Sequence, residues 1–364
     1  MRDDMIQQTF EEPEATRQAL ERAQALAGRG QWRAAVEALQ LAEQARPTAL
    51  LQRALVDLRI QGGRALAGSG QGLADPLAAG TEPRSGAVER QAHRAAGLPE
   101  VTAAELNAAV VREALSERGA LLVRGLVDRE RALSLRHLVD RVIAAREQRV
   151  PCEESSAAWY ARSPEVHGGP ARFFAAPGES VSASSSLWTV DSPLATARLL
   201  TLYHQLRLPE LLSTYFGEPA LLSVKKWVLR RVAPDNGAEA GWHQDGRFLG
   251  EGIATLNLWL SLSDCGGDTE APGMEIVANG RRDILPTGSH GADFDWTVGQ
   301  GLVDQVAPDT RFVPRFAPGD ALIFDHFNLH RTAFGTAHTL PRYAIEAWFF
   351  AQSRAPLKQQ PVLL

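Results

Sequence analysis

The sequence predicts a mainly β protein, a barrel or sandwich with flanking helices, preceded by a small all-α module. Beyond residue 150 the chain consists of short strand-like runs separated by turn signals rich in Gly and Pro, which is typical of barrels and sandwiches. Residues 15–62 are instead rich in Ala, Leu, Gln, Arg and Glu, and their apolar positions follow the spacing of amphipathic helices. The 364 residues suffice for roughly two domains of about 150 residues each.

Composition and charge limit the classes of partner. The formal net charge is −5, which lacks the basic excess that nucleic-acid binding requires, so we expect no nucleic-acid partner. Two cysteines, Cys152 and Cys265, are too few for a disulfide framework or for a zinc site made of thiolates. The acidic start MRDDMIQQTFEEPEA is unlike a signal peptide, and no long uncharged apolar run is present. We therefore expect a cytoplasmic protein without membrane contact.

The N-terminal module is predicted to be a helical hairpin. Within it, GQWRAAVEALQLAEQARP resembles the second half of a tetratricopeptide repeat, with aromatic, small and bulky residues and a final proline at suitable intervals: Trp32, Ala35, Leu39, Ala42 and Pro47. Only one repeat is clear, whereas such arrays need about three. Two interpretations stay open, namely a hairpin that packs on the main domain and a module for a protein partner or self-association.

A segment rich in Gly, Pro and Ser separates this module from the rest of the chain. Its sequence, GSGQGLADPLAAGTEPRSG, has no hydrophobic period and predicts a linker. We therefore divide the chain into a helical module at 1–67, a linker at 68–95 and a main domain at 96–364.

Helical and strand signals alternate at the start of the main domain. Thr102 and Glu105 have capping-box spacing and predict the start of a helix that ends near Arg118. The run ALLVRG then predicts a short strand, and a second helix is predicted from Arg129 to about Gln148.

The clearest strand in the chain is ATLNLWLSLSD. Because side chains alternate along a strand, the leucines at 256, 258, 260 and 262 point one way, and Thr255, Asn257, Trp259, Ser261 and Ser263 point the other. One face therefore meets an apolar layer, and the other can line a polar cavity. Similar strands are predicted at 221–232, 320–327 and 342–350.

The segment WHQDG at 242–246 contains a candidate metal-binding pair. On a strand, His243 and Asp245 would share a face, so that an imidazole nitrogen and a carboxylate oxygen could bind one ion. The alternative without a metal is an Asx-type turn with a surface imidazole. The pair alone is weak support for a metal site because short motifs recur by chance.

A second segment, GDALIFDHFNLHRTAFGTAHTLPRYAIEAWFF at 319–350, supplies a strand, a histidine and then an arginine on the next strand. Together the two segments resemble the phytanoyl-CoA dioxygenase family of iron(II) and 2-oxoglutarate dependent oxygenases. The resemblance covers 220–350 well and the preceding helical part more loosely. The matching residues, in order, are His243, Asp245, Trp259, Gly319, Asp320, Phe324, His330, Thr332 and Arg342.

This resemblance implies a double-stranded β-helix, which is a cupin-like jelly roll, for the main domain. It also implies that His243, Asp245 and His330 are the iron(II) ligands and leave open positions for 2-oxoglutarate and dioxygen. Arg342 would form a forked ion pair with the far carboxylate of 2-oxoglutarate, because a guanidinium presents two parallel donors. Thr332 would add a hydrogen bond to the same carboxylate.

The implied reaction couples oxidative decarboxylation of 2-oxoglutarate to hydroxylation of an unactivated C–H bond in a small molecule. In related halogenases the position of Asp245 is small, so the carboxylate favours hydroxylation. Desaturation, epoxidation and ring closure use the same ligands and stay open as alternatives. A scaffold protein with an inactive barrel, whose helical module recruits a partner, is the alternative from another class.

Further residues are predicted with less support. His326 competes with His330 for the third ligand position, and we favour His330 because Thr332 and Arg342 follow it. Asn257 and Trp259 are expected in the co-substrate pocket. Substrate or co-substrate contacts are assigned to Lys226, Arg230 and Gln244, against the alternative of a solvated strand face for the two cations. His290 and His338 are expected in loops, and the remaining tryptophans are expected to be packing residues.

Overall fold

Helices lie at both the start and the middle of the chain, and strands dominate its second half. The computed structural model describes residues 14–68, 97–148, 158–167, 185–234, 241–250, 252–335 and 337–364. The described helices are α1 (Glu14–Ala27), α2 (Trp32–Ala45), α3 (Ala49–Leu66), α4 (Ala108–Arg118), α5 (Arg129–Gln148), α6 (Pro193–Gln205), α7 (Leu208–Phe216), α8 (Gly246–Leu249) and α9 (Gln300–Val306). The described strands are β1 (Glu100–Thr102), β2 (Ala120–Arg124), β3 (Ser185–Trp188), β4 (Ala220–Val232), β5 (Thr255–Ser261), β6 (Gly273–Val277), β7 (Arg311–Phe312), β8 (Ala321–Phe324), β9 (His330–Ala333), β10 (Arg342–Ala351) and β11 (Pro361–Leu363).

Two sheets of mainly antiparallel strands form the body of the protein. In the larger sheet the order is β1-β2-β8-β5-β10-β4-β11, with β3 also paired to β4, and only β1 and β2 are parallel among these described pairs. The smaller sheet has the order β7-β6-β9. This mixed helix and sheet architecture confirms the coarse fold class predicted from the sequence, while the double-stranded β-helix stays a prediction.

Strand β5 shows why the two sheets face one another. Its leucines at 256, 258 and 260, with Leu262 beyond them, belong to an apolar cluster shared with α5, α6 and α7. Trp259, on the other face, belongs to a second cluster with Met274 and Ile276 of β6. The helices therefore cover the outer face of the larger sheet, and its inner face packs on the smaller sheet. The alternation predicted for this strand is confirmed, and its polar positions face the interior.

The start of the main domain differs from the sequence prediction. Helix α4 begins at Ala108, and its N-cap is Asn107, whose side chain accepts hydrogen bonds from the backbone N–H groups of Ala109 and Val110. Thr102 belongs to β1 instead, and its backbone N–H and hydroxyl both donate to the Glu105 carboxylate at 2.8 Å. Thr102 and Glu105 do interact, but their interaction closes a turn and does not begin a helix. Asn107 caps the helix instead, because asparagine is the stronger N-cap residue and lies nearer the apolar run.

Helix α3 joins the N-terminal helices to the larger sheet. Its Thr48 N-cap accepts from the Leu51 N–H at 3.1 Å, and the helix runs to Leu66. The guanidinium of Arg59 is buried and donates to the Leu363 carbonyl of β11 at 3.0 Å. A Cβ added to Gly63 would lie 2.1 Å from the Pro361 carbonyl oxygen, so the helix backbone runs directly against the strand backbone.

We expect Gly63→Ala to lower the free energy of unfolding by about 1–3 kcal/mol, because the added methyl group overpacks a contact between two backbones. Urea unfolding measures the difference. Gly28→Ala is the matched control, since its added Cβ would come no closer than 3.4 Å to another atom. Equal destabilisation by the two variants would show that α3 is not held tightly against β11.

Some predicted features fall outside the described residues. These are Cys152, residues 1–13 and nearly all of the predicted linker. The boundaries of the helical module and the main domain therefore stay predictions. Among the described helices, none has the combined length and apolar character that crossing a membrane requires.

Candidate metal centre

Two histidines that are distant in the sequence lie side by side at the edge of the smaller sheet. His243 and His330 form an antiparallel bridge in which each backbone N–H donates to the other residue's carbonyl at 3.0 Å. Their ring centroids are 4.4 Å apart. The bridge adds the segment at 242–243 beside β9, and it brings the two imidazoles to one face of the sheet.

Asp245 completes the cluster from a turn. A donor atom of His243, one of Asp245 and one of His330 all lie within 4.8 Å of one another. The Asp245 Oδ2 is 3.5 Å from the His330 Nε2. Asp245 has helical backbone angles, with φ −63° and ψ −22°, and directly precedes α8. The strand geometry expected for the His243 and Asp245 pair is therefore wrong, because the chain turns into α8 right after the bridge.

The turn requires a residue without a side chain after Asp245. A Cβ on Gly246 would lie 2.5 Å from the Ile284 Cδ1 and 3.0 Å from the His326 carbonyl oxygen. The Gly246 N–H also donates to that same carbonyl at 2.9 Å. The loop that carries Ile284 and the segment before β9 thus hold the turn that positions the carboxylate.

Backbone carbonyls orient both imidazoles. The His243 Nδ1 lies 3.0 Å from the Gly241 carbonyl oxygen, and the His330 Nδ1 lies 3.1 Å from that of Asn328. A carbonyl only accepts, so each Nδ1 carries the proton and each Nε2 presents its lone pair. Two such nitrogens and one carboxylate oxygen are the donor set of non-haem Fe(II) oxygenases, in which one face of the metal stays open. The residues present therefore fit a ferrous ion.

The surroundings of the cluster favour the ionised form of Asp245 and the neutral form of His330. Burial raises the pKa of the Asp245 carboxyl, but the nearby Lys226 ammonium and the two imidazoles outweigh burial and hold that pKa below its ordinary value. The Lys226 Nζ donates to the Asp245 Oδ1 at 2.7 Å. Burial, together with repulsion from His243, lowers the pKa of His330 to about 4, so its imidazole is neutral near pH 7.

Both cations predicted to contact substrate are paired with acids. Lys226 and Arg230 lie on the same face of β4. The Lys226 ammonium binds Asp245, and the Arg230 Nε donates to the Glu346 Oε2 at 2.7 Å. The other oxygen of Glu346 accepts from the Trp348 indole at 2.9 Å. Burial opposes ionisation of Glu346, but Arg230 and Lys226 lower the pKa of its carboxyl. The result is a row of alternating charges that begins at the metal cluster.

Arg342 lies at the inner face of the larger sheet and is 4% exposed. One terminal nitrogen donates to the Gly273 carbonyl at 2.7 Å, and the other lies 3.4 Å from the Thr332 hydroxyl. The guanidinium carbon is 5.5 Å from the centre of the Trp259 ring system. Thr332 follows His330 by two residues on β9, so it connects the arginine to the metal cluster. The structure thus groups Arg342 and Trp259, both buried, with the half-buried Thr332.

Other predicted residues lie near the cluster or away from it. The buried Asn257 Oδ1 has no hydrogen-bond partner among the described residues. The Gln244 amide points away from the cluster and bonds the backbone of Asp283, Leu285 and Phe327, so it fixes the neighbouring loop. His326 is buried beside the site, where its Nδ1 lies 2.8 Å from the Thr255 hydroxyl.

The loop positions expected for two histidines agree with the structure. His290 is exposed, has a positive φ of 54° and lies 2.9 Å through its Nδ1 from the Ser289 hydroxyl. His338 is half-buried in a loop, and its Nδ1 accepts from the Gly335 N–H at 3.0 Å.

Sequence reasoning missed two aromatic neighbours of the cluster. The Phe248 ring centroid lies 6.4 Å from that of His243, and the Trp296 centroid lies 5.9 Å from it. Phe248 could have been predicted near the cluster, because it follows Asp245 by only three residues. Trp296 had none, since it lies in a long irregular loop between β6 and α9, and the sequence assigned it to packing.

Comparison with protein-family models gives no match, and comparison with curated proteins gives none either. Among solved structures, EvdO2 from Micromonospora carbonacea var. aurantiaca, complexed with 2-oxoglutarate, is 17% identical with a TM-score of 0.44, over 70% of this chain and 91% of that one. EctD from S. alaskensis, with 2-oxoglutarate and 5-hydroxyectoine, is 14% identical with a TM-score of 0.47, over 68% and 77%. SnoK, a non-heme alpha-ketoglutarate-dependent carbocyclase from nogalamycin biosynthesis, is 16% identical with a TM-score of 0.44, over 70% and 87%. These likenesses are too distant to assign a reaction to this chain.

Proposed function

We propose that this protein is an oxygenase that uses ferrous ion, 2-oxoglutarate and dioxygen to hydroxylate a C–H bond of a small molecule, on a double-stranded β-helix. The observation that carries the proposal is the convergence of two imidazoles and one carboxylate within 4.8 Å. The buried Arg342 beside Thr332 supports it independently, because a dicarboxylate co-substrate needs a cation of this kind. A scaffold without chemistry would need neither feature.

In this proposal the chain's residues hold and orient the reactants. His243, Asp245 and His330 would bind iron on one face and leave the opposite face open. Iron, 2-oxoglutarate and dioxygen together would supply the oxidising chemistry, with succinate and carbon dioxide as co-products. Arg342 would bind the far carboxylate of 2-oxoglutarate through two parallel N–H donors, and the Thr332 hydroxyl would donate to the same group. The buried setting excludes water and strengthens these charged contacts.

Hydroxylation is favoured over halogenation by the ligand set. Asp245 fills the third ligand position with a carboxylate, so no halide is needed there. Desaturation, epoxidation and ring closure would use the same three ligands. Mass analysis of the product separates two groups: hydroxylation and epoxidation of a double bond each add one oxygen atom, whereas desaturation and ring closure remove two hydrogen atoms.

Succinate formation from 2-oxoglutarate tests the proposal without a known substrate. The full chain is incubated aerobically with Fe(II), ascorbate and 2-oxoglutarate, and succinate is measured by mass spectrometry. We expect slow succinate formation that stops when oxygen is removed or when a chelator is added. Absence of succinate, combined with absence of Mn(II) binding in place of Fe(II), would contradict the proposal.

Lys226→Met is expected to make the protein depend on metal for stability. Without Lys226 the buried Asp245 carboxylate loses its 2.7 Å partner, and breaking such a pair costs about 3–5 kcal/mol. A bound divalent ion would restore a counter-charge. Thermal unfolding should therefore show a larger rise in melting temperature on Mn(II) addition for Lys226→Met than for the wild type. The neighbouring Lys225→Met is the control, and equal rises in all three proteins would contradict this role of Lys226.

A further inference from the structure

The three side chains of the metal cluster differ in their exposure. Asp245 and His330 are buried, with exposures of 2% and 7%, whereas His243 is half-buried. Among the three candidate ligands, His243 is therefore the one most accessible to a molecule from solvent. The rings next to His243 are Phe248, Trp296 and the more distant Phe294.

These three residues form a continuous surface, which we call the aromatic row. The Phe248 and Trp296 centroids are 5.8 Å apart with an interplanar angle of 59°. Phe294 stacks on Trp296 at 5.5 Å with an angle of 4°. Phe248 and Trp296 are half-buried, and Phe294 is 42% exposed. The row thus runs from the metal ligand His243 out to solvent.

The composition of the row indicates what it binds. Exposed contiguous apolar surface at the mouth of a site is typical of ligand binding, and aromatic faces favour other flat rings at stacking or edge-to-face distance. The Lys226 Nζ lies 5.9 Å from the Phe248 centroid. That ammonium already binds Asp245, so the row offers apolar and π surface instead of charge.

We propose that the aromatic row is the substrate-binding wall, and that the substrate presents a flat aromatic ring to Trp296 and Phe248. This inference rests on the proposed function, because it assigns to the reacting carbon a place beside His243. It narrows the substrate class to molecules with an uncharged aromatic portion. A row that only packs the loop between β6 and α9 is the alternative that the test must separate.

Ligand-observed NMR on the full, metal-free chain tests the row directly. The probe is 2-naphthol, and cyclohexylmethanol, which is apolar but not flat, is the comparison. We expect saturation transfer to 2-naphthol that is at least several-fold stronger than to cyclohexylmethanol. Trp296→Ala should weaken 2-naphthol binding about 10-fold, and Leu41→Ala, which removes an exposed apolar side chain of α2 that is 62% exposed, should not change it.

A second variant and a second signal complete the test. Phe248→Leu keeps apolar volume but removes the ring, so weaker 2-naphthol binding in this variant supports the proposal even if Trp296→Ala fails to fold. Mn(II) added to the wild type should broaden the probe resonances, which places the bound probe near the cluster. Equal binding of 2-naphthol to the wild type, Trp296→Ala and Phe248→Leu would overturn the proposal.

The two proposals fail in distinguishable ways. Mn(II) binding is followed separately through the loss of the free-ion EPR signal. If Mn(II) does not bind, the metal assignment fails, while the comparison of 2-naphthol binding among the variants still decides whether the row binds rings. If Mn(II) binds but the probe resonances do not broaden, 2-naphthol binds elsewhere, and the aromatic row is not the substrate wall.

Discussion

Asp245→Ala is expected to abolish succinate formation and to weaken Mn(II) or Fe(II) binding by at least about 100-fold. The reason is that the variant removes the only anionic ligand of the cluster, and substitution even of residues that merely support a ligand costs about 10–100-fold in metal affinity. Isothermal titration with Mn(II) and the succinate assay measure the two effects. Asp264→Ala is the control, because Asp264 is a half-exposed partner of Arg129 at 3.3 Å. Metal affinity of Asp245→Ala within a few-fold of the wild type would remove Asp245 from the site.

A double variant separates lost metal binding from lost stability. Asp245→Ala leaves the ammonium of Lys226 without its carboxylate, which destabilises a partly buried charge. Asp245→Ala combined with Lys226→Met removes both members of the pair, so we expect it to recover much of the free energy of unfolding. Its Mn(II) affinity should stay as low as that of Asp245→Ala.

Arg342→Lys is expected to weaken 2-oxoglutarate binding to the Mn(II)-loaded protein by about 10- to 100-fold. Lysine keeps the charge but loses the planar pair of donors, and a hydrogen bond to a charged group contributes about 1.5–3 kcal/mol. It also removes the 2.7 Å bond that orients the guanidinium on Gly273. Isothermal titration with 2-oxoglutarate measures the effect, and the Mn(II) affinity should change little.

The control for Arg342→Lys is another Arg-to-Lys substitution, so that the net charge of the protein is the same in both variants. Arg129→Lys makes the same chemical replacement at an exposed position, 60% exposed by its side chain, and should leave 2-oxoglutarate binding unchanged. If Arg342→Lys binds 2-oxoglutarate as tightly as Arg129→Lys does, the far carboxylate is held elsewhere.

The parts of the fold that the sequence predicted are those with a strong local period. The alternation of β5 followed directly from its leucines, and helix α5 occupies the predicted range from Arg129 to Gln148. The start of α4 was misplaced because two capping signals lie close together, and the prediction followed the capping-box spacing instead of the stronger Asn107 cap. The sequence allowed a helical hairpin packed on the main domain but did not predict which elements meet, since the docking of α3 on β11 depends on a contact between residues about 300 positions apart.

The metal cluster was predictable because its residues lie in two short segments, WHQDG and the run that ends in Arg342. What the sequence could not supply is the geometry between them: the bridge from His243 to His330, and the turn that moves Asp245 off the strand. The pairing of Lys226 with Asp245 was also missed, because residues 19 positions apart on different elements carry no common pattern. The aromatic row depends on a loop fold, which has no periodic signal.

The seating of α3 on β11 has a consequence for association between chains. β11 is the last strand in the order of the larger sheet, and a terminal strand with free backbone groups is a template for pairing with another chain. The Arg59 guanidinium donates a hydrogen bond to the Leu363 carbonyl. The backbone of α3 at Gly63, which carries no side chain, packs against the Pro361 carbonyl. The N-terminal helices therefore cover this edge of the larger sheet against pairing with a strand of another chain.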